Sequence, residues 1–168
     1  MISRVTATIR RARPDELDAV GQLTVDAYVT GGVISPDAPY LEFLGDARSR
    51  DADAEVWVAV DARGVVGTVT YVEPGSALCE IAREGEAEIR SLAVLPTASG
   101  EGIGEALTRH ALARARTQGL ASVVLSSSTT MHTAHRLYER LGFTRLPERD
   151  WSPAPGVQLV AYRLPLTD

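Results

Sequence analysis

Residues 88–104 read E-I-R-S-L-A-V-L-P-T-A-S-G-E-G-I-G. The segment is a strand that stops, a glycine-rich turn and the opening of a helix. Glu86–Leu95 is the strand, and Pro96 ends it. After Gly100–Gly104, the residues Ile103, Ala106, Leu107, His110 and Ala111 recur at helical spacing until Gly119. Glycines let backbone N–H groups converge on an anion, and the helix start behind them adds the positive end of its dipole. Together these make a pyrophosphate site. The dinucleotide fingerprint does not fit, because Glu105 stands where its sixth position needs glycine. A tight turn with no ligand is the alternative.

Working outward, Thr8–Arg13 reads as a first strand, and Pro14-Asp15-Glu16 opens a helix that Gly31-Gly32 breaks. Tyr40–Arg48 reads as a second, shorter helix. Glu55–Val60 and Val65–Val72 are β-rich, with Asp61–Gly64 as the hairpin turn between them. Glu73–Gly85 is a connection. Ser122–Ser126 is a buried strand, and Ser128, Thr129 and Thr130 offer N-caps for the next helix. In that helix Ala134, Leu137, Tyr138 and Leu141 fall at i, i+3, i+4 and i+7, with Gly142 as its C′ residue. Phe143–Leu146 and Val157–Leu164 are the last strands, joined through the proline-rich Pro147–Gly156. Interleaved helices with an early and a late hairpin predict an α/β fold of the mixed α+β kind, with helices on the sheet faces.

Composition narrows the chemistry. The 168 residues suggest one domain over 1–168. Hydrophobic residues at 45% and charged residues at 23% argue against disorder. The net charge of −5 disfavours a nucleic-acid or membrane-surface binder. All seventeen basic residues are arginine. Without lysine a P-loop, a protein kinase and a pyridoxal enzyme are each disfavoured. Cys79 is the single cysteine, which excludes an intrachain disulfide and a Cys-rich zinc site. His132 and His135, spaced i, i+3, read as a solvated helix face rather than metal ligands. Met1–Pro14 holds no apolar segment of the signal-peptide kind, and Val56–Val60 is far short of a span. A soluble, cytoplasmic protein is expected.

About thirty residues beyond the glycine turn stands Ala134-His135-Arg136-Leu137-Tyr138-Glu139-Arg140-Leu141-Gly142-Phe143. The two segments, in this order and separated by one helix and one strand, resemble the GNAT superfamily of N-acetyltransferases. The turn is similar to its acetyl-CoA motif, (Q/R)xxGx(G/A) after a strand. The later segment is similar to its A-x-x-LY-x-x-x-GF helix. The resemblance implies a mostly antiparallel sheet of about seven strands in which two parallel strands, Glu88–Val94 and Ser122–Ser126, splay apart. Acetyl-CoA would lie in that wedge, its pantetheine arm bonding the backbone near Leu92, Ala93 and Val94. Buried amides left unpaired cost about 1–3 kcal/mol each, so a ligand is needed there. Ser99, Gly100, Glu101, Gly102, Ile103, Gly104 and Glu105 would surround the pyrophosphate.

The implied reaction is direct acetyl transfer to a primary amine. Glu88 matches the family's strand glutamate and would take the proton from the amine, through water. The Leu92 N–H would stabilise the oxyanion. Tyr138 would protonate the departing thiolate, its phenol pKa of about 10 being close to that of a thiol. Two plainer readings stand beside these roles: a Glu88–Arg90 pair on the sheet surface, and Tyr138 as core filler. The acceptor pocket is expected from Tyr28–Tyr40 and Glu148–Gly156, with Tyr28, Tyr40, Glu88 and Trp151 facing the substrate.

This chain departs from the family pattern in places. Ser99 replaces the leading Gln or Arg, and Glu101 and Glu105 put two carboxylates beside the pyrophosphate, which predicts weaker binding. Met131 stands where asparagine is frequent, removing one hydrogen bond to the cofactor arm. The expected partners are a small-molecule or peptide amine, with no metal, no nucleic acid and no membrane, and with homodimerisation left open. The acidic balance favours a cationic amine. The alternatives are a non-catalytic acyl-CoA-binding sensor module and a nucleotide-binding regulator, the latter disfavoured by the missing lysine.

Overall fold

Glu55–Asp61 (β2) and Gly64–Val72 (β3) form the hairpin on which the sheet is built. In β2 the side chains divide by parity. Val56 and Val58 pack with Leu17, Val20 and Ala47 on one face, and Ala59 packs with Val69, Leu107 and Ala111 on the other. The turn closes in two residues, with the Asp61 carboxylate accepting from the Arg63 N–H at 2.8 Å.

The computed structural model describes residues 6–166; Met1–Val5, the start of the N-terminal stretch read above, and Thr167–Asp168 lie outside them. The other strands are β1 (Thr8–Arg11), β4 (Glu86–Val94), β5 (Ser122–Ser128), β6 (Thr144–Arg145), β7 (Trp151–Ala154) and β8 (Val157–Pro165). The helices are α1 (Leu17–Thr30), α2 (Tyr40–Gly45), α3 (Ala47–Asp53), α4 (Ile103–Thr117) and α5 (His132–Leu141). The sheet has eight strands in the order β1-β2-β3-β4-β5-β8-β6, with β7 paired to β8. Every pairing is antiparallel except β4 with β5. Helices cover both faces: α1 and α3 with the smaller apolar cluster, α4 and α5 with the larger.

Four expectations are corrected. The eighth strand is β7, inside the segment read as a proline-rich connection; it pairs only with β8, with an irregularity in register between Trp151 and Ala154, where Pro153 stands. The helix expected over Tyr40–Arg48 is two helices. Asp46 interrupts it and its carboxylate caps α3, accepting from the Ser49 N–H at 3.1 Å. Ser128 is the last residue of β5, and α5 starts after Met131 with no side-chain cap, so Ser128, Thr129 and Thr130 do not cap it. β1 ends at Arg11 rather than Arg13. Among the described residues no helix is long and apolar enough to cross a membrane.

Candidate active site

The strands β4 and β5 pair only from Glu86 opposite Ser122 to Ile89 opposite Leu125. Beyond that point β4 stays with β3 as far as Val94, and β5 stays with β8 as far as Ser128. The two therefore diverge. A bulge marks the fork: Thr70 faces Arg90 and Thr68 faces Ala93, so β4 carries one extra residue. Ser91 sits there with φ of 52°, a left-handed conformation that costs a non-glycine residue about 1–2 kcal/mol. Leu95 donates to the Val66 carbonyl at 2.9 Å. Antiparallel ladders alternate, so Ala93 bonds to β3 while the peptide groups of Val94 turn to the other edge, where β5 no longer runs. A cavity of about 540 Å³ occupies the fork. Leu92, Ala93 and Val94 form one wall, with Ser126, Met131 and Tyr138 among the groups opposite.

One end of this groove is the glycine turn. Gly100 and Gly102 have φ of 81° and 83°, a region that side chains enter only under strain. α4 begins at Ile103. Ser99, Gly100, Gly102, Ile103, Gly104 and Glu105 all line the cavity. Glu101 does not. Its carboxylate turns out to Arg63 in a two-point ion pair, and Arg63 also holds Asp61 at 2.6 Å. Glu105 is met by Arg140 at 3.1 Å and Arg109 at 3.6 Å. The expectation that both carboxylates stand beside the pyrophosphate is corrected for Glu101, which turns away, while Glu105 lines the groove; each has a guanidinium partner. Sequence reasoning also passed over Arg136 and Arg140, which line the cavity from α5. Their i, i+4 spacing inside the second motif was the available signal.

Tyr138 is 5% exposed and faces the same cavity. Its ring packs edge-on against Phe143 and tilted against Tyr162. Burial pushes its phenol above the usual range, so the hydroxyl stays protonated. Among the described residues no hydrogen bond engages that hydroxyl. Tyr28, from α1, lines the cavity too, and burial pushes its phenol up in the same way, with a smaller contribution from Tyr138.

Glu88, Tyr40 and Trp151 lie outside the lining. Glu88 is fully buried. Its Oε1 accepts the backbone N–H groups of Glu80, Ile81 and Ala82 at 3.0, 2.9 and 2.9 Å, while its Oε2 has no partner. The surface pair with Arg90 does not form. Arg90 instead binds Glu80 at 3.0 Å, the Leu78 carbonyl at 3.0 Å and the Tyr40 hydroxyl at 3.1 Å. It lies over the Phe43 ring, 4.4 Å from the centroid, and lines the cavity. Burial pushes the Glu80 carboxyl up, and Arg90 opposes that shift. Trp151 donates its Nε1–H to Ser126 Oγ at 3.1 Å, which places it behind the cavity wall. His132 lines the cavity, and the His135 Nε2 lies 2.9 Å from the Ser128 carbonyl oxygen, so the pair is not a purely solvated face.

Known proteins share this architecture. Residues 17–143 match the Acetyltransferase (GNAT) family. The mycothiol acetyltransferase of Thermomonospora curvata is 28% identical over 161 residues, 86% of this chain and 54% of that protein. The N-acetylaspartate synthetase of Danio rerio is 34% identical over 101 residues, 60% of this chain and 33% of that protein. The chain thus matches a third to about half of the length of these relatives. A GNAT family acetyltransferase from Staphylococcus aureus superposes with a TM-score of 0.77 at 14% identity, covering 96% of this chain and 100% of the other, a likeness of fold. A GNAT family acetyltransferase from Brucella melitensis, crystallised in complex with acetyl-CoA, is 25% identical with a TM-score of 0.62, covering 94% of this chain and 89% of the other. With the forked strands, the glycine turn and the tyrosine helix in one groove, and the match running over most of the chain, the protein belongs to the GNAT acetyltransferase family.

Proposed function

We propose that the chain is an N-acetyltransferase that moves the acetyl group of acetyl-CoA directly to the primary amine of an acceptor. The observation that carries this reading is the end of β4–β5 pairing at Ile89 and Leu125, which turns Val94's peptide groups into an open groove. A pantetheine arm has the amides and carbonyls to bond there as a surrogate strand. The turn at Gly100–Gly104 offers its amides to a pyrophosphate at the same groove's end. When bound, acetyl-CoA supplies the activated thioester.

The chain's own residues then do the rest. The Leu92 N–H donates to the acyl oxygen as charge develops on it. Glu88 takes the ammonium proton of the acceptor through water, its unpartnered Oε2 being the free acceptor. The amine nitrogen bonds to the acyl carbon and sheds its second proton, the carbon–sulfur bond breaks, Tyr138 gives the sulfur its proton, and the shed proton restores the Tyr138 hydroxyl through water. Tyr28, Arg90 and the Tyr40–Phe43 segment border the acceptor side. Two relatives are a mycothiol acetyltransferase and an N-acetylaspartate synthetase, which supports a small-molecule acceptor.

The experiment is thiol release from acetyl-CoA with a panel of amines. Tyr138→Phe is expected to lower kcat about a hundredfold with little change in KM for acetyl-CoA. Glu88→Gln should lower kcat with little change in KM for acetyl-CoA. Thermal stabilisation by acetyl-CoA with no turnover on any amine would instead support a non-catalytic acyl-CoA-binding module.

A further inference from the structure

We propose that Arg90 anchors a carboxylate of the acceptor, so that the amine acetylated by this protein belongs to an amino acid. The inference rests on the N-acetyltransferase reading above and names the class of its acceptor. It runs against the cationic amine that a net charge of −5 favours, because the charge an acceptor meets is local.

Arg90 stands at the closed end of the fork. It follows Ile89, the last β4 residue paired with β5, and the bulge separates it from Val94 and the glycine turn. It lines the cavity there with Tyr28 and Val33. The charged residues of the lining divide by position: Glu105, Arg136 and Arg140 belong to α4 and α5, and Arg90 is the charged residue of the β4 wall. Glu80 and Glu88 lie outside the lining, and three backbone amides offset the charge of Glu88. The acceptor side of the groove therefore presents a cation and no anion.

The guanidinium is held in place before any ligand arrives. The Arg90 side chain is 10% exposed, and its Nε meets Glu80 at 3.0 Å. Nη1 donates to the Leu78 carbonyl and Nη2 to the Tyr40 hydroxyl. Each terminal nitrogen carries two N–H groups and commits one, so one on each is left for the two oxygens of a carboxylate. Arg50 adds a second positive charge nearby. It is 1% exposed, its Nη1 donates to the Phe43 and Leu44 carbonyls, and its Nε and Nη2 have no partner. Both guanidinium groups lie over one ring, that of Phe43, at 4.4 Å from its centroid for Arg90 and 5.4 Å for Arg50. Glu80 balances one of these two cations. A buried charge without a counter-charge costs stability, and a carboxylate on the acceptor would balance the other.

The test is thiol release from acetyl-CoA with glycine, alanine, leucine, phenylalanine and glutamate, each offered as the free amino acid and as its carboxamide. The amide is the weaker base and holds more free amine at neutral pH, so amine basicity alone favours it. Wild type is expected to use at least one free acid with kcat/KM about tenfold to a hundredfold above that of its amide, the difference lying in KM. Arg90→Gln should bring that ratio close to one by raising KM for the acid, and Arg90→Lys should keep part of it. Melting temperature and KM for acetyl-CoA report whether the variants fold, and the wild-type ratio stands as a test in either case. Equal or better use of the amides, an acid preference that survives Arg90→Gln, or turnover confined to amines without a carboxylate, such as benzylamine and spermidine, overturns the proposal and leaves the N-acetyltransferase reading intact. No turnover of any amine overturns that reading and the proposal with it.

Discussion

Arg63, on the β2–β3 turn, holds Glu101 of the glycine turn by two nitrogen–oxygen contacts of 2.7 and 3.0 Å. The residues are 38 positions apart, and the pair turns an acidic side chain away from the groove. In Arg63→Ala the carboxylate is released beside the turn proposed to hold the pyrophosphate. Acetyl-CoA dissociation constants are expected to rise roughly threefold to tenfold at low salt, an effect that fades as ionic strength increases. Adding Glu101→Gln should restore binding. Melting temperature should hardly move, because exposed ion pairs contribute little to stability. Wild-type affinity in the single variant would refute the electrostatic role.

Glu105 gives the opposite experiment. It lines the groove while Arg140 and Arg109 partly cancel its charge. Glu105→Gln removes the negative charge and frees Arg140 for phosphate. Binding of acetyl-CoA should tighten about threefold or more, at a cost of about 0.3–1 kcal/mol for an acidic residue lost from the first turn of a helix. Calorimetry and thermal unfolding on one sample read both effects, and tighter binding is the outcome that matters.

Gly21 tests the scaffold behind the acceptor side. A Cβ there would lie 2.0 Å from the Gly45 carbonyl oxygen, a backbone atom with no flexible end to give way. α1 and α2 meet at this contact, and they carry Tyr28 and Tyr40. Gly21→Ala is expected to cost about 1–3 kcal/mol in denaturant unfolding. Affinity for acetyl-CoA should suffer less than turnover, because the glycine turn lies elsewhere. An unchanged unfolding midpoint would show that the helices separate freely.

Acid should weaken the amino-terminal tie. The Arg10 guanidinium, bonded at 2.8 Å to each carboxylate oxygen, holds the Glu16 carboxyl down from 4.5 to about 2, with help from the Arg13 N–H. The folded chain keeps this group ionised more strongly than the unfolded chain does. Its contribution is therefore full above pH 4.5 and is lost as pH falls towards about 2. Glu16→Gln should lower stability at neutral pH and flatten the stability curve through that window. Parallel curves for the two proteins in acid unfolding would contradict the assignment.

Local signals carried much of the fold. The hairpin at Asp61–Gly64, the stop at Pro96, the glycine turn and the Ala134–Phe143 helix each act within a few residues, and each is found where its pattern stands. β7 was missed because Pro153 and a run of turn-forming residues hide a strand that needs only β8. Asp46 looked like helix interior because its role as a cap depends on where α2 ends. The bulge at Ser91 left no mark, since nothing in an ordinary serine announces a left-handed backbone.

The candidate site divides in the same way. The family resemblance of two motifs pointed to Tyr138, Leu92, Val94 and the turn residues, and of these all but Glu101 line the groove. Which charges face the groove was decided by contacts across the fold: Glu101 is drawn away by Arg63, Glu105 is met from α5, and Glu88 is enclosed by the amides of residues 80–82. Sequence alone determined the order of the strands and helices apart from β7 and the α2–α3 break, and the place of the glycine turn, since these follow from hydrophobic period and local backbone freedom. Only the tertiary structure decided how far β4 and β5 run together and which side chains remain unpaired. Those depend on the distance between residues remote in the chain, and ionic and hydrogen-bond energies fall away within a few ångströms.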